Sequence, residues 1–202
     1  MILYAKLEQK AIIYYTNTTM NKKNKCIILD YSELKKIVDA HRTLGHKIIC
    51  TAGSWDMLHI GHLRYLIKAK EQGDILIVGT DSDRGIKLYK NELRPIIPQE
   101  ERMEMLSYQD CVDYVTLIDD IDDQGRWQYE LIKVIQPDLF ITTDYSYSDE
   151  QIKTIGKYSK EVLIFPRQAE NTSSTEIIER TVKKHLEILL ANFHKKDEKK
   201  TS

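Results

Sequence analysis

Cysteine is scarce in this chain, and the little there is makes no pattern. Cys26, Cys50 and Cys111 are odd in number, unevenly spaced and free of any C-x-x-C pair. That excludes a disulfide framework or a clustered-thiolate zinc site and points to a reducing compartment. Cys50 and Cys111 fall in or beside apolar segments, where a thiol packs as a small core residue. Long hydrophobic runs are missing as well. Lys6, Glu8 and Lys10 interrupt what precedes the apolar patch Ala11-Ile12-Ile13-Tyr14-Tyr15, and no run approaches the roughly 20 residues of a bilayer-spanning helix. Surplus charge is the third absence: 30 Lys and Arg face 31 Asp and Glu. Without a global positive field, neither nucleic acid nor an anionic membrane is expected as a partner. The expectation is a soluble cytoplasmic protein without internal repeats.

The 202 residues suit one domain with extensions. Residues 1–29, Asn/Lys-rich around Asn17 to Lys25, read as an N-terminal extension, 30–193 as the domain and 194–202 as a charged tail expected to be disordered. Within the domain, helical and strand-like segments alternate. A helix starts at Tyr31 with Ser32 as N-cap, and strands are expected at Lys47–Thr51, Asp74–Val78, Val112–Ile118, Leu139–Ile141 and Val162–Phe165. Between them lie helices from His59 to near Gly73, Gln99–Tyr108, Trp127–Ile135 and Ser148–Tyr158, and a last helix runs from Thr175 to about Phe193. This order predicts an α/β fold, a Rossmann-like doubly wound parallel sheet, with ligands at the carboxyl ends of its strands.

The polar clusters fall at those ends. Gly53-Ser54-Trp55-Asp56 follows the first strand, Thr80 to Asp83 the second, Thr142-Thr143-Asp144-Tyr145 the fourth and Asn171 to Thr175 the fifth. The first cluster leads into His59-Ile60-Gly61-His62, where a helix begins. A helix N-terminus carries unpaired N–H groups and the positive end of the macrodipole, so it attracts anions. Two imidazoles in the entering turn add hydrogen-bond donors of tunable charge, which suits a phosphate whose charge changes during reaction.

Over about residues 33–183 these elements resemble the HxGH, or cytidylyltransferase-like, nucleotidyltransferases. Gly53-Ser54-Trp55-Asp56 with His59 to His62 is similar to that family's G-[ST]-[FW]-D-x-x-H-x-G-H. Lys87-Leu88-Tyr89-Lys90 and Arg94-Pro95 resemble its phosphate-loop lysines and RP pair, Glu101-Arg102-Met103 its ERM element, and Ser173-Ser174-Thr175-Glu176-Ile177 its SST-x-I signature. Within the family the likeness is strongest to heptose-phosphate adenylyltransferase domains, with glycerol-3-phosphate cytidylyltransferases next. The chain departs from the pattern at two places. Thr142-Thr143 stands where heptose enzymes carry Lys-Gly, and Arg167 lies one place further from the SST element than the arginine of the cytidylyltransferases.

The resemblance implies transfer of a nucleoside monophosphate from ATP or CTP, with Mg²⁺, to a sugar- or polyol-phosphate, releasing pyrophosphate. It implies His59, His62 and Lys90 as catalytic groups, and Gly53, Ser54, Trp55, Asp56, Gly61, Lys87, Arg102, Asp144, Ser173, Ser174 and Thr175 at the nucleotide. Asp81 and Arg94 would meet the acceptor. No residue is assigned to a metal: the acidic run Asp119-Asp120-Ile121-Asp122-Asp123 lacks ligand-like spacing and reads as a solvated turn. A homodimer is expected from the family. The competing expectation, resting on the two departures, is a catalytically silent module that holds a nucleotide in the same crevice.

Overall fold

The computed structural model describes residues 26–198. Most of the N-terminal extension, residues 1–25, and the last four positions of the charged tail, 199–202, lie outside the described residues.

The elements in chain order are α1 (Tyr31–Thr43), β1 (Ile48–Gly53), α2 (Ile60–Lys70), β2 (Ile75–Asp81), α3 (Asp83–Tyr89), α4 (Gln99–Ser107), β3 (Tyr114–Ile118), α5 (Glu130–Ile135), β4 (Leu139–Thr143), α6 (Asp149–Ile155), β5 (Glu161–Phe165) and α7 (Ser174–Glu198). All strands of the sheet are parallel, in the order β3-β2-β1-β4-β5. This is the Rossmann-like arrangement that the alternation predicts.

β1 and β2 are the apolar runs Ile-Ile-Cys and Ile-Leu-Ile-Val because helices cover both of their faces. Successive side chains alternate between two cores. Ile49, Leu76, Val78 and Ile141 pack with Tyr65 and Leu66 of α2 and Met103 and Leu106 of α4. Ile48, Cys50, Ile77 and Phe140 pack with Leu34 and Val38 of α1, the α5 residues Leu131, Ile132 and Ile135, and Ile155 of α6. Cys50 is fully buried in the second core, whereas Cys111 is only partly buried and packs against the edge of the first.

Several boundaries differ from those read in the sequence. α1 is capped by Asp30 rather than Ser32, the Asp30 carboxylate accepting the Ser32 N–H at 2.7 Å. β1 and β2 run on to Gly53 and Asp81, because Thr51-Ala52-Gly53 pairs in register with Val78-Gly79-Thr80 and the glycines do not turn the chain there. A Cβ at Gly79 would lie 2.5 Å from Ile118 Cδ1, so that glycine serves close packing instead. α5 begins at Glu130: Trp127 belongs to a loop clasped by an Ile121–Trp127 bridge, and Tyr129 turns out of it with φ 65°. α7 is helical as far as Glu198, beyond the expected domain edge.

β1 leads outwards to β2 and its neighbour β4 leads outwards to β5, so the connections diverge at their carboxyl ends and open a crevice there. Among the described residues no helix is long and apolar enough to cross a membrane.

Candidate active site

A cavity of about 750 Å³ fills this crevice. His59 is the N-cap of α2 and its Nδ1 accepts the Gly61 N–H at 3.1 Å, so in the neutral ring the proton sits on Nε2. The His59 and His62 rings stack with centroids 3.9 Å apart. Gly61 permits this: a Cβ there would lie 3.0 Å from both His59 Cε1 and Ala169 Cβ. Burial, then His59, then Lys90 push the His62 pKa down to about 3. Burial, then Arg167, also lower that of His59. The site therefore holds two neutral imidazoles as N–H donors, kept neutral first by burial and then by the neighbouring positive groups.

The loop from β1 to α2 is held from below. Trp55 has φ 50° and Met57 φ 53°, left-handed conformations kept by their surroundings. The Trp55 indole N–H donates to the Gly79 carbonyl at 2.9 Å, and its ring meets the His62 ring edge-on at 5.5 Å. Trp55 thus lines the cavity and also positions a histidine. Lys90, the C-cap of α3, donates to Ser54 Oγ at 2.9 Å, and burial, then Arg94, lower its pKa. Ser174 at the start of α7 donates to the Asp56 carbonyl at 2.5 Å, while Ser173 Oγ accepts the Glu176 N–H at 3.1 Å. The N-termini of α2 and α7 therefore open on one cavity, which Ser173, Ser174 and Lys90 line with the histidines.

Not every residue expected at the ligand is there. Gly53, Ser54, Trp55, His59, Gly61, His62, Asp81, Lys90, Ser173 and Ser174 line the cavity; Asp56, Lys87, Arg94, Arg102, Asp144 and Thr175 do not. Lys87, Asp144 and Thr175 are exposed. Asp56 is completely buried, pairs with Arg94 at 2.8 Å and accepts the Ile96 and Ile97 N–H groups at 3.1 and 3.0 Å. Arg102, expected at the nucleotide, is also completely buried. It donates to the carbonyls of Ser54, Ile97 and Asp81 and pairs with the Asp83 carboxylate at 2.7 Å. Both placements have one physical cause: buried charges are held by partners, and these two fix the loop beneath the histidines, the loop-orienting role being one that the position of Asp56 in the motif also allowed.

Other residues reach the cavity without having been expected there. Arg167 lines it and pairs with Glu176 at 2.8 Å, although its register had placed it outside the family pattern. Tyr89, between the two quoted lysines, donates to Asp81 Oδ2 at 2.7 Å beside the cavity. Burial raises the Asp81 pKa, and that hydrogen bond opposes it. The acidic run is a set of staples. Asp119 accepts Ser82 Oγ and pairs with Arg84, Asp120 accepts the Glu130 N–H, and Asp122 pairs with Arg126. Among the described residues no three His, Cys, Asp or Glu side chains are grouped to hold a metal ion.

The cytidylyltransferase-like family model matches residues 50–180, which include the histidine pair, Lys90 and the SST element. The chain belongs to this family. Among its relatives is the bifunctional protein HldE of a Nitratiruptor species, 38% identical over 154 residues that cover 76% of this chain and 31% of the relative. HldE of Wolinella succinogenes is 45% identical over 114 residues, 56% of this chain and 23% of the relative. The chain thus spans a third or less of the length of these curated relatives. A solved lipopolysaccharide core biosynthesis protein from Thermoplasma volcanium superposes with a TM-score of 0.50 at 25% identity, covering 62% of this chain and 99% of that one.

Proposed function

We propose that this cytidylyltransferase-like chain transfers a nucleoside monophosphate from ATP or CTP to a sugar- or polyol-phosphate, in the manner of a heptose-1-phosphate adenylyltransferase. The observation that carries the reading is the stacked, neutral His59–His62 pair at the N-terminus of α2, with Lys90 and the start of α7 on the same cavity.

In the reaction an oxygen of the acceptor's phosphate forms a bond to the α-phosphorus of the NTP. The bond from that phosphorus to the bridging oxygen breaks, and pyrophosphate leaves with the electron pair. An ionised phosphate is already a nucleophile, so no general base is needed and catalysis reduces to positioning and charge stabilisation. His59 and His62 donate N–H groups to the α- and β-phosphate oxygens, and the backbone amides that open α2 add to them. Lys90, tethered to Ser54, neutralises the leaving pyrophosphate. Ser173 and Ser174 offer hydroxyls and the N-terminus of α7 to the same phosphates.

Asp56, the carboxylate nearest the motif, is committed to Arg94, and the described residues build no protein-held cation site. The expected Mg²⁺ fits best as a companion of the NTP phosphates, on which it keeps most of its waters. Cytoplasmic location and a homodimer belong to the same proposal, and sedimentation of the purified chain tests the second.

The decisive experiment measures pyrophosphate release across a matrix of NTPs and phosphorylated acceptors. Turnover with one pair is expected, and His62→Ala should lower it by roughly 10²–10³, the usual effect of removing one donor to a developing oxyanion. A protein that binds nucleotide and turns over no pair, or a His62→Ala variant with unchanged turnover, would refute the proposal.

A further inference from the structure

α7 is the longest described helix, and only its first turns belong to the cavity. Ser174 donates to the Asp56 carbonyl, Glu176 pairs with Arg167 at 2.8 Å, and Ile177 and Ile178 are half-buried. From Glu179 to Leu189 every residue is exposed, so no other described element covers this part of the helix. The projecting part begins where the match to the cytidylyltransferase-like family ends, at residue 180.

Its sequence is not that of a helix made for water on all sides. Val182, Leu186 and Leu189 are 51%, 53% and 52% exposed and stand on one helical face, and the chain repeats the pattern at Phe193. Spacings of four, three and four residues make the apolar seam of a coiled coil. A projecting helix of this length is marginal by itself in water, and helices in proteins are held mainly by burying an apolar face. The seam therefore calls for a partner.

An anionic membrane is a poor one, because α7 carries five acidic and five basic side chains and no net charge to draw it there. Residues 1–25 join the fold on the other side: Ile27 is bridged to Val115 of β3, and β3 and β5 are the opposite edges of the sheet. A second copy of the chain fits, because the seam is complementary to itself. With two α7 helices antiparallel and Leu186 facing the partner subunit's Leu189, the same register sets Val182 against the partner's Phe193 and Glu179 against the partner's Lys196. Opposite charges then close the apolar layers at both ends. Parallel helices would instead set Glu179 on Glu179 and Lys196 on Lys196, and like charges oppose that pairing.

We propose that the α7 helices of two copies pair antiparallel along Val182, Leu186 and Leu189, joining the chains into a twofold-symmetric dimer with the two cavities at opposite ends of the paired helices. The inference gives a surface to the homodimer of the nucleotidyl-transfer reading and rests on that reading for the number of copies, but its test does not require turnover.

The test is sedimentation equilibrium of the full chain at micromolar concentration, where a dimer is expected. Leu186→Glu keeps helix propensity and puts a charge into both central layers, so the dimer dissociation constant should rise by about a hundredfold or more. The near-ultraviolet circular dichroism of Trp55 and Trp127 should stay unchanged and report an intact fold. Glu179→Lys alone and Lys196→Glu alone should each weaken the dimer roughly fivefold, and the two together should restore it. A monomeric full chain, a Leu186→Glu dimer as tight as the unaltered one, or a double charge exchange that restores nothing would overturn the pairing. A dimer that Leu186→Glu dissociates, in a chain that releases pyrophosphate from no NTP, would instead refute the transfer reading and leave the pairing standing.

Discussion

Asp56 sits inside the most functional-looking stretch of the chain, and its replacement should nevertheless act first on stability. The carboxylate is completely buried, pairs with Arg94 at 2.8 Å and accepts the Ile96 and Ile97 N–H groups. Asp56→Ala removes all three partnerships. Arg94, itself only 8% exposed, becomes an uncompensated buried cation, and breaking a buried pair from one side costs about 3–5 kcal/mol. Two orphaned amides add to this, each by about 1–3 kcal/mol if water cannot reach them, and local relaxation recovers part of the sum. A net loss of about 4 kcal/mol is therefore expected. With a urea m-value of about 2 kcal/mol per M, the midpoint should fall by roughly 2 M. Chemical unfolding followed by circular dichroism reads this directly. Asp56→Asn keeps the amide acceptor and should lose less than Asp56→Ala. Adding Arg94→Met to Asp56→Ala should restore part of the stability, because the unpaired charge is gone. A midpoint shift under about 0.5 M for Asp56→Ala, or no recovery in the double variant, would refute the view of Asp56 as a buried strut.

His62 predicts a pH dependence of the unliganded protein. Its folded pKa of about 3 lies below the ordinary value of 6.5, so the unfolded chain takes up the proton first. The penalty is absent above pH 6.5 and grows as pH falls toward 3, by at most about 1.4 kcal/mol per pH unit. His62→Gln should flatten unfolding midpoints over that range, and an unchanged slope would contradict the assignment. Gly61→Ala places a methyl 3.0 Å from the His59 ring and from Ala169, so it should disturb the imidazole stack. Because α2 gains a better helix former, turnover should fall by about tenfold or more while the melting temperature changes little. A large loss of stability with intact kinetics would argue that Gly61 serves packing alone.

Much of this molecule is written in local patterns. The apolar runs of β1 and β2, the helical periodicities between strands and the polar clusters after each strand dictate a parallel sheet with its site at one edge, since backbone burial and side-chain period act over a few residues. The histidine pair, Gly61 and the Ser173-Ser174 helix start were legible for the same reason: a turn, a cap and a donor set are local chemistry. The three-dimensional fold alone decided which charges face the cavity. Asp56, Arg94 and Arg102 read like phosphate-site residues, yet they lie beneath the loop, because burial and ion pairing depend on residues up to 48 positions away in sequence. Tyr147, Trp127 and Asp81 come from three separate segments, and their meeting across the crevice follows from strand order, which no local pattern encodes. The sequence by itself determined that this chain folds as a parallel α/β sheet and places two histidines at a helix start on its carboxyl edge. The tertiary structure decided which side chains face the cavity, because only packing determines which polar groups are already satisfied.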